Sequence, residues 1–194
     1  FTVNDVKVGG NFTANKSTGN LVMGGLAAYY QQTGTSPSKI SVNKFQLTGD
    51  FHMTSAGHTA SGMITYLNTD NDNKDRTVLS MQDITICNGA SLKENYNDWN
   101  TASGGWLGLT WKNVMPDDTV HYSIKGLTMG EGGTAEQGPL FLTQSRFGGL
   151  VDTITGRIQL QDINFKNAVI NNYHNRNGNG LLFRIGISAV IEID

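Results

Sequence analysis

An eight-residue pattern of apolar and polar residues occurs five times in this chain of 194 residues, and it constrains the fold more than any other feature. In each copy, positions 1, 3, 6 and 8 are apolar, and the other four positions are polar or glycine. The copies begin at residues 1, 40, 79, 122 and 158, so successive starts lie 39, 39, 43 and 36 residues apart. A period of roughly 20 to 50 residues is typical of repeat architectures. The sequence therefore predicts one domain, 1–194, of five units: residues 1–39, 40–78, 79–121, 122–157 and 158–194.

The pattern is that of a β-strand with a shift of phase at its centre. Each half alternates with period two, which is the periodicity of a strand, but the two halves are out of step by one residue. A β-bulge at the central polar pair would bring all four apolar side chains to one face of the sheet. Without a bulge, the two halves would present their apolar side chains to opposite faces. Both geometries favour a layered β structure.

Turn residues and a second apolar segment follow every copy of the motif. Glycine or asparagine occurs within the first three residues after each motif, as in Gly9, Gly49 and Gly89. Each unit therefore reads as strand, turn, second strand and variable polar loop. The abundant Asn, Thr and Gly residues are poor helix formers. We expect an all-β fold in which the five repeats of about 39 residues form a layered sandwich or a solenoid-like array; five sandwich strands with coincidental spacing are the plainer alternative.

The two ends of the chain carry apolar strands that need a covering partner. Near the C-terminus, alternate residues from Ile185 to Ile193 are apolar without a phase shift, which predicts one long strand. Uncovered apolar strands pair readily with other chains. A terminal strand could therefore be exchanged between subunits, and head-to-tail addition would give a homopolymer. The predicted subunit interface comprises Phe1, Val3, Val6, Val8, Ile185, Ile187, Ile191 and Ile193.

Composition excludes two classes of partner and favours an extracellular location. With 14 basic and 16 acidic residues the net charge is −2, so no broad basic surface is available for nucleic acid. No apolar run approaches the ~20 residues of a membrane-spanning helix. Only 15% of residues are charged, well below the usual ~25%. Such surfaces are typical of secreted, β-rich proteins, so we expect an exported protein at the cell surface or outside the cell.

Catalytic signatures are absent from the sequence, and we expect no enzymatic activity. The four histidines are scattered, and no nucleophile elbow or phosphate-binding loop occurs. Cys87, the single cysteine, follows the third motif at the end of a predicted strand, where packing is the simpler role.

One acidic loop suggests a metal site. Residues 68–75 contain Asp70, Asp72 and Asp75 among three asparagines. Calcium takes six to eight oxygen ligands, which closely spaced Asp and Asn residues can supply. The loop departs from an EF-hand, since Lys74 occupies a ligand position and Met81 stands where a glutamate is needed. Calcium is thus the one cofactor to consider, with a solvated hairpin loop as the alternative; otherwise no cofactor is expected.

A group of aromatic residues in the third unit suggests a sugar site. Tyr96 and Trp99 lie among asparagines and aspartates, and aromatic rings beside amides and carboxylates can stack on a pyranose. Trp106 and Trp111 fall in a predicted strand, where packing explains them. A glycan or another host-surface ligand is therefore a possible partner.

The strands of residues 64–70 and 79–86 resemble those of β-rich pilus and filament proteins of Gram-negative bacteria. The resemblance is one of repeat texture, in which similar strands alternate with Gly- and Asp-rich turns. It implies an exported, non-enzymatic surface protein.

These features together favour an extracellular structural or adhesive protein, a surface filament subunit that polymerises by strand addition. Two alternatives stay open. One is a lectin-like carbohydrate-binding module, for which five units would also suit a five-bladed propeller. The other is a phage or viral fibre or capsid domain.

Overall fold

The computed structural model of the protein describes residues 2–16, 21–27, 30–32, 38–55, 59–64, 66–69, 77–96, 109–111, 120–143, 147–148, 151–154, 157–167, 169–172, 178–179, 182–185 and 190–194. Within these ranges the chain forms strands and turns and no helix. All pairings between the described strands are parallel. The all-β class predicted from the turn residues and the strand periodicity is confirmed.

The described strands are short and follow one another along the whole chain. The first ten are β1 (Thr2–Val8), β2 (Asn11–Lys16), β3 (Leu21–Ala27), β4 (Tyr30–Gln32), β5 (Ser38–Leu47), β6 (Asp50–Ser55), β7 (Thr59–Ile64), β8 (Tyr66–Thr69), β9 (Thr77–Ile86) and β10 (Ser91–Tyr96). The next ten are β11 (Leu109–Trp111), β12 (Val120–Met129), β13 (Leu140–Thr143), β14 (Phe147–Gly148), β15 (Val151–Ile154), β16 (Arg157–Phe165), β17 (Val169–Asn172), β18 (Gly178–Asn179), β19 (Leu182–Ile185) and β20 (Val190–Ile193).

The copies of the motif lie side by side in a six-stranded parallel sheet, which we call the motif sheet. Its strand order is β1-β5-β9-β12-β16-β20. Equivalent motif positions are register partners, so that position 3 forms a column from Val3 through Val42, Met81 and Ile124 to Leu160. Residues at the same motif position therefore stack on one another at the strand spacing of about 4.8 Å.

The strands that follow the motifs form a second parallel sheet, which we call the companion sheet. Its order is β17-β13-β10-β6-β2. From β2 to β17 its strands therefore follow the same succession of units as β1 to β16 in the motif sheet. A column runs through it from Phe12 to Phe51, Leu92, Phe141 and Ile170. Smaller parallel sheets pair β4, β8 and β11, β3 with β7, β14 with β18, and β15 with β19. Parallel pairing between units excludes the propeller, whose blades are separate antiparallel sheets.

The fifth residue of every described motif has a left-handed backbone. Its φ angle is 53° at Asp5, 52° at Lys44, 55° at Asp83, 67° at Gly126 and 55° at Asp162. The register of the motif sheet passes over this residue in each strand, for example from Asn4–Asn43 directly to Val6–Phe45. Each of the five strands β1, β5, β9, β12 and β16 thus contains one left-handed kink, and the five kinks form a column.

The kink resolves the shift of phase in the sequence pattern. A left-handed residue rotates the chain so that the apolar positions on both sides of it share one face. In the second motif, Ile40, Val42, Phe45 and Leu47 are all at most 1% exposed. The equivalent apolar residues of the third motif are buried as well. The burial therefore supports the one-face geometry that the sequence left open.

Backbone hydrogen bonds between successive units continue through the turn that links each motif strand to its companion strand. We call this turn the corner. The Thr48 amide donates to the Val8 carbonyl over 2.8 Å, and the Asp50 amide donates to the Gly10 carbonyl over 2.9 Å. Equivalent bonds recur in the next two units, where an amide again donates to a carbonyl of the preceding unit. In the next unit the pairs are Cys87 to Leu47 and Ser91 to Gly49, and in the one after it they are Gly130 to Ile86 and Leu140 to Ala90. The corner is thus built in the same way in successive units.

Candidate functional site

The first edge of the motif sheet exposes apolar side chains. The described part of β1 has β5 on one side, and no described strand lies on its other side. Val3, Val6 and Val8 are half-buried, whereas the register partners of Val6 and Val8 in β5, Phe45 and Leu47, are 0% exposed. The columns of apolar side chains are therefore fully buried at β5, inside the sheet, and only half-buried at β1, where the described residues place a strand on one side.

The opposite edge of the motif sheet is exposed in a different way. β20 pairs only with the first half of β16, from Arg157 to Leu160. Beside the second half of β16, the described residues place a strand on the β12 side alone. Phe165 is 39% exposed there, whereas its register partner Met129 is 0% exposed. In β20 itself, Ile193 is 63% exposed. Among the described residues, β20 forms the first half of this edge and β16 forms the second half, so the two halves differ by one strand.

The companion sheet has matching open edges. Its outer strands are β2 and β17. Phe12 in β2 is 41% exposed, whereas Leu92, two strands further in, is 1% exposed. Both sheets thus lose burial at the first unit. Phe12 and Phe165 were not among the residues predicted for the interface, although Phe165 closes the fifth copy of the motif.

One polar cluster bridges the inner strands of the companion sheet. The Ser91 hydroxyl donates to a carboxylate oxygen of Asp50, and Lys93 Nζ lies 3.1 Å from Asp50 Oδ1 and 3.3 Å from Oδ2. Ser91 is 5% exposed, so its hydroxyl is shielded from solvent. The lysine and the hydroxyl together satisfy a carboxylate at the corner, and the cluster stabilises the register of β6 against β10.

Cys87 lies in the corner after β9 and is covered by the loop of residues 130–139. A Cβ atom on Gly132 would be 3.6 Å from Cys87 Sγ, and the Gly132 carbonyl accepts a hydrogen bond of 3.2 Å from the Asn88 amide. Burial raises the pKa of the Cys87 thiol, and the positive charge of Lys7 opposes part of that shift. A buried, protonated thiol suits packing rather than nucleophilic chemistry.

We expect the raised pKa of Cys87 to make the fold less stable in alkaline solution. Below about pH 8.5 the thiol is protonated in both states, whereas above that pH the unfolded chain loses the proton more readily and is favoured. The contribution is therefore complete below the unfolded pKa and is lost as the pH rises through the folded one. Urea unfolding of wild type and Cys87→Ala at several pH values measures this. The wild type should lose more stability than the variant above pH 8.5, and equal losses would contradict the expectation.

The predicted interface residues are divided among several elements. Val3, Val6 and Val8 lie in β1, Ile191 and Ile193 in β20, and Ile185 in β19. β19 pairs with β15 and β20 pairs with β16, and residues 186–189 between them lie outside the described residues. Phe1 and Ile187 lie outside the described residues.

The predicted ligand sites stay predictions. Asp70, Asp72 and Asp75 of the calcium loop and Trp99 of the glycan site lie outside the described residues. Tyr96 is the last residue of β10, and the structure describes its backbone alone. Among the described side chains, no group of three or more His, Cys, Asp or Glu residues could hold a metal ion. The described part of the chain also holds no helix with the length and hydropathy needed to cross a membrane.

Comparison of the chain with protein-family models, with curated proteins and with solved structures finds no match.

Proposed function

We propose that this protein is a non-enzymatic structural β-solenoid of five coils, which stacks end to end with further copies of itself to form an exported surface filament. The proposal rests on one observation, the difference in burial of the apolar columns between the inside and the edges of the motif sheet. They are buried inside the motif sheet, half-buried at Val6 and Val8 on one edge, and exposed at Phe165 and Ile193 on the other.

The register supports one coil per repeat. Val3 pairs with Val42, which is 39 residues later, and Val42 pairs with Met81, again 39 residues later. The next steps, to Ile124 and then Leu160, are 43 and 36 residues, as in the sequence repeat. Each repeat therefore advances the chain by one strand position in the motif sheet. In such an array a unit contacts mainly its neighbours, so an end unit has an uncovered face.

The two uncovered faces fit each other. An edge strand offers unpaired backbone amides and carbonyls, which pair with another strand if one is available. A further strand of the motif pattern at the C-terminal edge of the motif sheet needs apolar residues at motif positions 3, 6 and 8 and a left-handed residue at position 5. β1 has all of these in Val3, Asp5, Val6 and Val8. A second copy is thus a suitable occupant, and a head-to-tail contact of this kind repeats without limit.

Export and surface location rest on composition. The low proportion of charged residues, 15%, and the abundance of Asn, Thr and Gly are typical of extracellular β proteins. Antibody labelling of intact source cells tests this part of the proposal, since an exported filament is labelled without permeabilisation and an internal protein is not.

We expect Val6→Glu to weaken assembly strongly while leaving the monomer folded. In the monomer Val6 is half-buried at an edge, so a carboxylate there keeps its contact with water. In the stack the same side chain would enter an apolar column, where an unpaired charge is costly. The concentration needed for assembly should rise at least about tenfold, which corresponds to about 1.4 kcal/mol. Sedimentation velocity and negative-stain microscopy measure it.

Lys7→Glu is the matched control, because Lys7 is the next residue in β1 and is exposed. It introduces the same carboxylate outside the apolar columns, with a larger change of charge, from +1 to −1, and should leave assembly nearly unchanged. Equal polymers from Val6→Glu and wild type would contradict the proposal, as would a wild-type protein that stays monomeric at every concentration.

A further inference from the structure

The corner after β9 contains Asn88 followed by Gly89, a pair of residues that can react with each other. Residues 87–90 form a β-turn, closed by a hydrogen bond of 3.1 Å from the Ala90 amide to the Cys87 carbonyl. Gly89 takes the third position of this turn with φ of 78°, which glycine adopts readily. Because glycine has no side chain to shield its nitrogen, that nitrogen can attack the carboxamide carbon of the preceding asparagine.

The reaction needs water as its only co-reactant. The Gly89 nitrogen forms a bond to Asn88 Cγ, the bond between Cγ and Nδ2 breaks, and the amide proton of Gly89 leaves with ammonia. The product is a succinimide, a cyclic imide of the main chain. Water then opens one or the other of the imide C–N bonds. The result is aspartate, or isoaspartate, in which the main chain passes through Cγ.

The loop of residues 130–139, which we call the cover loop, binds the backbone of this reactive pair. The Gly89 amide donates to the Gln137 carbonyl over 2.8 Å, and the Asn88 amide donates to the Gly132 carbonyl over 3.2 Å. Attack on Asn88 Cγ requires the Gly89 nitrogen to give up its proton and to turn away from Gln137. The reaction therefore requires the cover loop to open.

Close backbone contacts hold the cover loop against the turn. A Cβ atom on Gly89 would lie 2.8 Å from Ala135 Cβ, and a Cβ atom on Gly133 would lie 2.6 Å from the Asn88 carbonyl oxygen. Neither contact has room for a larger side chain. The turn and the cover loop thus pack backbone against backbone, and a side chain added at Gly133 would separate them.

Conversion of Asn88 would in turn weaken the hold of the cover loop. Asn88 Oδ1 is shielded from solvent and accepts no hydrogen bond from the described residues. A carboxylate would place a negative charge where a neutral oxygen already lacks such a partner, and burial of that kind is costly. Isoaspartate would also lengthen the main chain of the turn. Both products therefore favour an open cover loop.

We propose that Asn88 is a site of spontaneous and irreversible modification, whose rate is set by the cover loop and whose products release that loop. The modification goes beyond filament assembly and does not depend on it. It gives the third unit a chemical clock, which runs slowly while the corner is closed and opens the corner once it has run.

Mass spectrometry of protein stored at neutral pH measures the reaction at this site. Trypsin cuts after Arg76 and Lys93, and the peptide between these cuts contains Asn88 as its one asparagine. We expect Asn88 to convert at least about tenfold more slowly in the folded protein than in guanidinium chloride, because two hydrogen bonds must open before attack. Chromatography separates the aspartate and isoaspartate forms of the peptide.

Variants of the cover loop test its control of the rate. Gly133→Val pushes the loop from the turn, and we expect conversion of Asn88 in the folded variant to be at least about threefold faster than in wild type. Should this variant fail to fold, Ala135→Gly removes the methyl group that faces Gly89 and should act in the same direction. Glu136→Gln is the control, because Glu136 is exposed in the same loop, and its rate should equal that of wild type.

Limited proteolysis tests the release of the cover loop. Glu131 and Glu136 are exposed in the loop and offer sites to a protease that cuts after glutamate. We expect Asn88→Asp, which carries one of the two products, to be cut in the loop at least about fivefold faster than wild type. Asn164→Asp makes the same change at an exposed site in β16 and should be cut at the wild-type rate.

Equal conversion in the folded and the unfolded protein would overturn control by the cover loop. So would folded Gly133→Val and Ala135→Gly proteins that convert no faster than wild type. Cleavage of Asn88→Asp at the wild-type rate would overturn the release of the loop by the product.

Discussion

Replacement of Phe45 by alanine lowers the free energy of unfolding by about 3–5 kcal/mol, the usual cost of removing a buried aromatic ring. Phe45 occupies position 6 of the second motif and is 0% exposed. Its register partners are Val6 in β1 and Ile84 in β9, so it lies inside a column and has strands on both sides. The smaller side chain leaves a cavity that the neighbouring columns fill only in part. Urea unfolding followed by circular dichroism measures the loss.

Gln46→Ala is the control for Phe45→Ala. Gln46 is the next residue of β5 and is exposed, so its truncation should change the free energy of unfolding by less than about 0.5 kcal/mol. If Phe45→Ala costs no more than this control, the motif columns are not the core of the protein.

Replacement of Gly126 by valine lowers the free energy of unfolding by about 2–3 kcal/mol, the cost of a β-branched residue in a left-handed backbone. Gly126 is the left-handed residue of the fourth motif, with φ of 67°. A non-glycine residue in this region costs roughly 1–2 kcal/mol, and a β-branched side chain tolerates it worst. A Cβ atom on Gly126 would also be 3.1 Å from Asp83 Oδ1, the equivalent residue of the preceding motif. Thermal and urea unfolding of the purified variant measure the loss.

Lys125→Val separates the backbone effect from the change of side chain. Lys125 is exposed and adjoins Gly126, but it has no left-handed backbone, so valine is compatible with its extended strand. Its replacement should change stability by less than about 0.5 kcal/mol. A comparable loss in both variants would mean that the kink is not required at this position.

The class of the fold and the identity of the core follow from the motif pattern, because period-two alternation specifies strands and repeated spacing specifies stacking. The pattern does not decide how the two halves of the motif are joined. Aspartate or glycine at four of the five kinks, such as Asp83 and Gly126, is a signal for a left-handed backbone, since both tolerate it. Lys44 at the equivalent position of the second motif obscures that signal, because lysine has no such preference.

The stepped end of the motif sheet is beyond the reach of the pattern. Every second residue from Ile185 to Ile193 is apolar, yet the structure describes Ile185 in β19, which pairs with β15, and Ile193 in β20, which pairs with β16. Alternation reports which face of a strand is apolar and contains no information about where the chain passes from one sheet to the next. Likewise, glycines predict a turn after Met129, but only the structure shows that residues 130–139 fold back over Cys87.

The axial rise per subunit in the assembled protein tests the central claim most directly. Helical reconstruction from electron micrographs, or diffraction from aligned fibres, gives this distance. End-to-end stacking makes each copy contribute a whole number of strand layers, so we expect a rise of five or six layers, roughly 24 or 29 Å, together with the layer spacing of about 4.8 Å. A rise that is not a multiple of the layer spacing, or discrete particles without an axial repeat, would contradict end-to-end stacking.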